Sequence, residues 1–191
     1  MTTTTVRLLS GAELVVHRAE LRRVYADAFR APPWYEDEAG VDRFAARLDA
    51  DVHRPGFVAA LALDGPRAVG FATAWTTPSP FPVDRCHPQA AAALGSARTA
   101  EWLSGAREVD EIAVRPDAQG SGVGACLLRA VTESADDGRC WLLTSLRSAR
   151  SIAFYHRQGW AQATHPAPEG RGVVVFLGPR HPAHALAVQS L

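Results

Sequence analysis

Residues 112–128 read IAVRPDAQGSGVGACLL. A short apolar strand runs into a proline turn. A glutamine, three glycines at alternate positions and the start of an apolar helical stripe follow. The first N–H groups of a helix have no intrahelical partner and carry a partial positive charge. Gly120, Gly122 and Gly124 leave such groups uncovered, so the segment predicts a phosphate-bearing ligand held by main chain at 119–124. One or two glycines would serve a plain turn without a ligand; three at alternate positions exceed that need.

The segment alone does not name the ligand. No Gly-Lys-Ser/Thr follows, so it is not a P-loop. A dinucleotide-binding reading wants an acidic residue at the end of the next strand to hold a ribose. That strand, Cys140–Ser145, ends in Thr and Ser, and Asp136 and Asp137 lie in the turn before it. A nicotinamide-dependent oxidoreductase is therefore disfavoured.

The chain has 191 residues, which suits one domain. Twenty basic and twenty acidic residues cancel, which argues against a nucleic-acid surface. No apolar run approaches the roughly 20 residues of a membrane span. The first residues lack the charged start and long apolar core of a signal peptide. Cys86, Cys126 and Cys140 have no metal-ligand spacing, and the last two sit inside apolar patterns as core thiols. The expected setting is a reducing cytoplasm.

Periodicity places the elements. Ser10 caps a helix to about Phe29, and Val41, Phe44, Ala45 and Leu48 mark a second over 37–50. Phe57–Leu63 and Ala68–Thr76 form a hairpin about Asp64-Gly65-Pro66. A proline-rich loop leads to a helix with Pro88 in its first turn, interrupted at Gly95-Ser96 and ended by Ser104-Gly105. Arg107–Val114 is a strand, 122–134 a helix, Cys140–Leu146 a strand and Ser148–Gln158 a helix ended by Gly159. Trp160–Thr164 and Val173–Leu177 form a last strand pair. The order predicts an α/β or α+β fold around one sheet. His181 and His184, beyond Gly178, are expected at the surface.

A second motif, SARSIAFYHRQGW at 148–160, has a short helix with Tyr155 followed by Gly159 and an aromatic. Gln119-Gly120-Ser121-Gly122-Val123-Gly124 and Phe154-Tyr155-His156-Arg157-Gln158-Gly159-Trp160, in this order with a strand between, resemble the GNAT N-acetyltransferase superfamily. Trp160 stands where the family pattern has Phe. The resemblance implies a single-domain fold over 1–178, a central mixed, mostly antiparallel sheet flanked by helices. It leaves 77–106 as a helical insertion and 179–191 as a tail. It implies acetyl-CoA as donor, with contacts from Ile112, Ala113, Val114, Gln119, Gly120, Ser121, Gly122, Val123, Gly124, Ser148, Ser151 and Tyr155, and no metal. Ser148 departs from the family's common Asn, so that contact passes through water or is missing.

Acetyl transfer to an amine needs a proton acceptor, because an alkyl ammonium has a pKa of about 10.4. It also needs a proton for the departing thiolate. The resemblance implies Tyr155 as the acid; periodicity alone would make it a core tyrosine. Glu108, counted back from Gln119, aligns with a carboxylate that some family members use as base. Glu111, Asp110 and a water chain are the alternatives. Strand alternation puts Glu108 and Asp110 on one face and Glu111 on the other; otherwise these acids are solvated at a strand start. The backbone of 112–114 pairs with the pantetheine arm as an added strand would. Arg115 and Arg129 are candidates for the nucleotide phosphates, or plain exposed arginines.

Trp34 and Tyr35, in PPWYED at 32–37, lie in the loop that walls the acceptor side in the resembling family. Aromatics beside carboxylates suit a cationic amine; alternatively the two rings plug the core. The expected acceptor is a small-molecule amine, with no nucleic acid, no membrane and a possible homodimer. The segment 77–106, with Trp75, Phe81 and Trp102 in or near it, is expected as a lid or dimer surface. The competing function is a non-catalytic acyl-CoA-binding sensor.

Overall fold

The protein, seen in a computed structural model, is described over residues 4–165 and 172–187. In chain order its elements are β1 (Thr5–Leu9), α1 (Gly11–Leu14), a 3-10 turn (Val15–His17), α2 (Arg18–Phe29), α3 (Glu38–Asp51), β2 (Val58–Asp64) and β3 (Arg67–Thr76). Then come α4 (His87–Leu94), α5 (Ser96–Arg98), a π turn (Thr99–Leu103), β4 (Arg107–Val114) and a 3-10 turn (Pro116–Ala118). The chain continues with α6 (Val123–Glu133), β5 (Cys140–Ser145), α7 (Ala149–Arg157), β6 (Ala161–Gln162), β7 (Val173–Leu177) and a 3-10 turn (His184–Leu186). The class is mixed α/β, with seven strands among the described residues, mostly antiparallel, and flanking helices. The chain divides into two compact units, Met1–Trp75 with Val109–Ser134, and Thr76–Glu108 with Ala135–Leu191.

In the first unit the strand order is β1-β2-β3-β4, with β1/β2 and β2/β3 antiparallel. Ser10 opens the helical segment through a capping box: its backbone N–H donates to the Glu13 carboxylate at 2.8 Å, and its hydroxyl accepts from the Glu13 N–H at 3.4 Å. The expected single helix to Phe29 is broken by the 3-10 turn at Val15–His17. Val15 and Val16 are β-branched and exposed, so nothing packs to hold them in a regular helix. The periodic residues of α2 and α3 meet as expected: Leu21, Val24, Tyr25, Val41, Phe44 and Leu48 form one core with Leu61 and Phe71. Tyr25 and Phe44 stack with ring centroids 4.0 Å apart.

Gly70 lets three elements close up. A Cβ there would lie 3.0 Å from the Ala113 carbonyl oxygen and 3.0 Å from Leu127 Cδ1. The missing side chain brings β3 against β4 and under α6, and so sets where the loop between them emerges.

In the second unit the order is β5-β7-β6, all antiparallel. Pro88 sits in the first turn of α4, and Gly95 at φ +79° ends it. The segment 77–106 contributes to the core of its own unit. Ala90, Leu94, Trp102 and Leu103 pack with Trp141, Val175 and Leu177 into this unit's core. Trp75, in the first unit, is also fully buried, with the Arg54 guanidinium 4.7 Å from its ring centroid. The strand expected over Trp160–Thr164 shortens to two residues. Thr164 replaces a ladder acceptor with its own hydroxyl, which takes the Val175 N–H at 3.0 Å.

The tail also differs from expectation at His181, which is 4% exposed. Its Nε2–H donates to the Trp102 carbonyl at 3.0 Å and its Nδ1 accepts from the Ala183 N–H at 3.0 Å. These bonds draw the imidazole inward. His184 stays near the surface on the Gly159 carbonyl. Cys140 is buried as expected, whereas Cys126 is half-buried.

Gly70→Ala should cost about 1–3 kcal/mol, the usual penalty for a side chain forced into a packed interior. A lowered urea midpoint with an unchanged m-value would register it.

Candidate active site

In the first unit, β4 runs through Ile112, Ala113 and Val114 into the glycine loop. Ala113 is buried and its two neighbours are half-buried. The loop's side chains turn back into it. Gln119 Nε2–H donates to the Val114 carbonyl at 2.9 Å, and Ser121 Oγ–H donates to the Ala118 carbonyl at 2.6 Å. Arg67 Nη1–H donates to Asp117 at 2.7 Å, a hydrogen bond that holds the exposed carboxyl below its ordinary pKa. The side chains of Gln119 and Ser121 brace the turn.

Main chain is what remains. Gly120 and Gly122 stand at φ +82° and +90°, a region that favours glycine, and a Cβ at either would meet nothing within 4 Å. Conformation, not crowding, requires glycine here. Gly122 is the N-cap of α6 and no side chain caps the helix. Cys126 N–H to the Gly122 carbonyl, 3.1 Å, is the first bond of its ladder, so the N–H groups of Val123, Gly124 and Ala125 precede it. An open, uncapped start of an eleven-residue helix fits a diphosphate.

Two further candidates of this unit fall differently. Arg115 is turned inward: its Nε–H donates to the Ala68 carbonyl at 2.9 Å and Nη1 pairs with Asp27. Those bonds tie its guanidinium to its own unit. Arg129 is exposed, 3.5 Å from Glu133. In the acceptor loop Trp34 is half-buried, its ring tilted against Phe29 at 5.6 Å. Tyr35 does not plug the core; it is 68% exposed at φ +52°. Asp37 is occupied as the N-cap of α3, accepting from the Gly40 N–H at 2.8 Å. Glu111 lies 3.8 Å from Arg47.

In the second unit, Ser148 is buried and caps α7. Its hydroxyl accepts from the Ser151 N–H at 3.2 Å and bonds the Ser151 hydroxyl at 2.7 Å. The serine that departs from the family pattern is therefore used to start the helix that carries Tyr155. The Tyr155 ring is half-buried among Phe154, Trp160 and Phe176, with centroids at 5.2, 6.2 and 5.7 Å.

Glu108 is not solvated. It is 5% exposed, and the exposures along β4 do not alternate, since Val109 is buried beside it. One oxygen accepts from the Thr77 hydroxyl at 3.3 Å and the other lies 2.9 Å from His87 Nε2. Trp141 Nε1–H donates to Thr77 Oγ1 at 2.7 Å. His87, Thr77 and Asp84 escape sequence reasoning. His87 stands 21 residues from Glu108, and no periodicity joins a histidine at a helix start to a strand carboxylate.

The two buried histidines titrate in opposite directions. Burial lowers His181 below the ordinary imidazole value. Burial opposes charge on His87 too, but the hydrogen bond and charge of Glu108 outweigh it and raise the pKa.

An anion-ready helix start beside a strand, in a mixed α/β fold, is the setting of proteins that hold a phosphorylated carrier by main chain. A model of the acetyltransferase (GNAT) family matches residues 19–160, so the chain belongs to that family. Among solved structures it is similar to an acetyltransferase from Thermus thermophilus (16% identity, TM-score 0.58, covering 92% of this chain and 96% of that one). It is similar also to the ribosomal-protein alanine N-acetyltransferase from Escherichia coli (19% identity, TM-score 0.54, covering 94% and 95%). A third is an aminoglycoside N-acetyltransferase in complex with CoA (17% identity, TM-score 0.54, covering 82% and 87%). Comparison with curated protein sequences finds no match.

His87 should stabilise the fold fully below about 6.5, the ordinary imidazole pKa, and lose that contribution as pH climbs through its raised value. His181 should stabilise it above about 6.5 and lose that as pH falls through its lowered value. Melting temperatures across pH should therefore carry a fall on each side from these two rings, and His87→Gln should flatten the alkaline one alone.

Proposed function

We propose that this chain transfers an acetyl group from acetyl-CoA to a primary amine of a small molecule in the cytoplasm. The observation that carries the reading is the uncapped start of α6 behind left-handed Gly120 and Gly122 with open space over both. Family membership supplies the chemistry that such a cradle serves.

Bound acetyl-CoA would supply an activated acetyl thioester. The N–H groups of 120–124 would hold its diphosphate, and the backbone of Ile112, Ala113 and Val114 its pantetheine arm. Ser148 and Ser151 would act by fixing the first turn of α7, since their hydroxyls already bond each other. Tyr155 would hold, at its phenolic oxygen, the proton that leaves with the thiol. Glu108 would take the proton that the amine gives up. Trp34 and the exposed Tyr35 would face a cationic acceptor, through the attraction of a ring for an ammonium. One structural relative is named for an aminoglycoside and another for a protein alanine. The aromatic loop, with Glu36 beside it, favours the small cation.

A non-catalytic sensor would need the cradle and not the proton donor. The two readings part on Tyr155→Phe: it should lower turnover at least tenfold, on the order of a lost general acid, while CoA still raises the melting temperature. CoA, and not NAD, should raise the melting temperature of the unaltered chain by several degrees at a hundredfold excess over Kd, about 2.7 kcal/mol of linkage. Release of free CoA thiol over a panel of amines then reads the transfer itself. No shift with CoA and no thiol release would reject the proposal.

A further inference from the structure

The first turn of α3 carries a glycine, Gly40, where alanine would favour the helix more. The position is buried, and Gly40 is not among the left-handed glycines, so conformation does not ask for it. Space does. A Cβ at Gly40 would stand 1.8 Å from Glu36 Oε2. The Glu36 carboxylate occupies the room that the absent side chain leaves.

Glu36 follows Trp34 and Tyr35 in the loop between α2 and α3, and its N–H donates to the Phe29 carbonyl at 2.9 Å, which closes the loop. Its side chain is 32% exposed, within reach of a solute. Among the described residues its carboxylate accepts no hydrogen bond. Its ion pair with Arg43 spans 3.8 Å, to a guanidinium that is itself exposed. Such a pair contributes little and yields readily to a better donor.

The loop meets the donor side within the same unit. Glu111 on β4 precedes Ile112, Ala113 and Val114, the backbone that would hold the pantetheine arm. Burial raises the pKa of the Tyr25 phenol, and the charges of Glu111 and Glu36 raise it further. Both carboxylates therefore stand near one buried hydroxyl, Glu36 from the loop and Glu111 from the strand. Arg47 hydrogen-bonds that hydroxyl and lies 3.8 Å from Glu111.

We propose that Glu36 is a specificity-determining carboxylate that holds a second positive group of the acceptor, and that Gly40 is its positioning residue. This rests on the acetyltransferase reading given above. The amine that is acetylated must be neutral when it attacks, so it gives up the charge that would tie it to a carboxylate. A second ammonium keeps that charge. With the reacting amine at the strand and a half-buried carboxylate in the loop, the acceptor is a diamine or polyamine whose distal ammonium donates to Glu36. Trp34 and Tyr35 precede it in the loop and suit the same charge. The distal ammonium retains its proton and takes no part in the N–C bond that forms or the C–S bond that breaks.

The test uses the whole chain, acetyl-CoA and straight-chain diamines, each beside the monoamine in which a methyl group replaces the distal ammonium. By release of CoA thiol, the unaltered chain should favour a diamine over its monoamine about tenfold or more in kcat/KM, the worth of a hydrogen bond to a charged group. Glu36→Gln should erase that ratio by raising the diamine KM, with kcat and the CoA-induced rise in melting temperature kept. Gly40→Ala should raise the diamine KM in the same way while its own melting temperature holds or rises, because only the end of a flexible side chain is displaced and alanine favours helix. In a Glu36→Ala background, Gly40→Ala should change KM no further. Equal losses on diamine and monoamine in Glu36→Gln make Glu36 a loop brace and overturn the proposal, even if Gly40→Ala fails to fold. Acetylation of amines with no preference for a diamine overturns it as well. An unchanged diamine KM in Gly40→Ala overturns the positioning role. Absence of both CoA stabilisation and thiol release with any amine would instead reject acetyl transfer, and the acceptor contact with it.

Discussion

The start of α6 must be left open. A helix that begins without a side-chain cap forgoes about 1 kcal/mol of stabilisation, and two residues before and at its N-cap adopt a conformation that only glycine takes easily. Everything local accommodates that. Gln119 and Ser121 turn their polar groups into the loop, Arg67 clamps Asp117, and Gly70 lets β3, β4 and α6 come close enough to fix where the loop emerges. The loop's side-chain bonds close within it, and the helix start that follows carries no side-chain cap. Such a loop serves an anion, because a phosphate satisfies N–H groups that the protein leaves over.

The elements that bury one apolar stripe were legible from sequence. Val123, Leu127 and Val131 of α6 and Phe44 and Leu48 of α3 lie where a 3.6-residue period puts them. The glycine loop was legible for a related reason: its conformation is encoded residue by residue, with no distant partner needed. Segment 77–106 was not. Its proline-rich opening and short broken helices carry weak period, and only contact with Trp141 and Leu177 makes Trp102 and Leu103 core. The β-branched Val15-Val16 pair likewise broke a helix whose period looked continuous.

Polar residues were harder to read than apolar ones. An apolar side chain needs any dry surface, so its pattern suffices. A buried histidine needs particular partners, and those of His181 and His87 come from far along the chain, Trp102 and Glu108. Hydrogen-bond counting then separates two rings that look alike in sequence. His181 is met by one donor and one acceptor, which is the demand of a neutral ring. His87 is met by two acceptors, which is the demand of a charged one.

That contrast bears on why the second unit holds polar groups at all. Thr77, His87, Glu108 and Trp141 form a connected chain of hydrogen bonds against a cluster of alanine, leucine and aromatic side chains. Buried ion pairs are weak stabilisers, and apolar groups of similar volume often serve a core better. What the chain of bonds does supply is a unique seating. Thr77 precedes the segment's helices, His87 begins the first of them, and Glu108 stands on the strand that follows. The observed placement of 77–106 brings these three together at once. The same bonds that seat the segment also hold Glu108, the carboxylate on β4 that sequence reasoning first selected for chemistry, so here packing of the segment and placement of that side chain are a single arrangement.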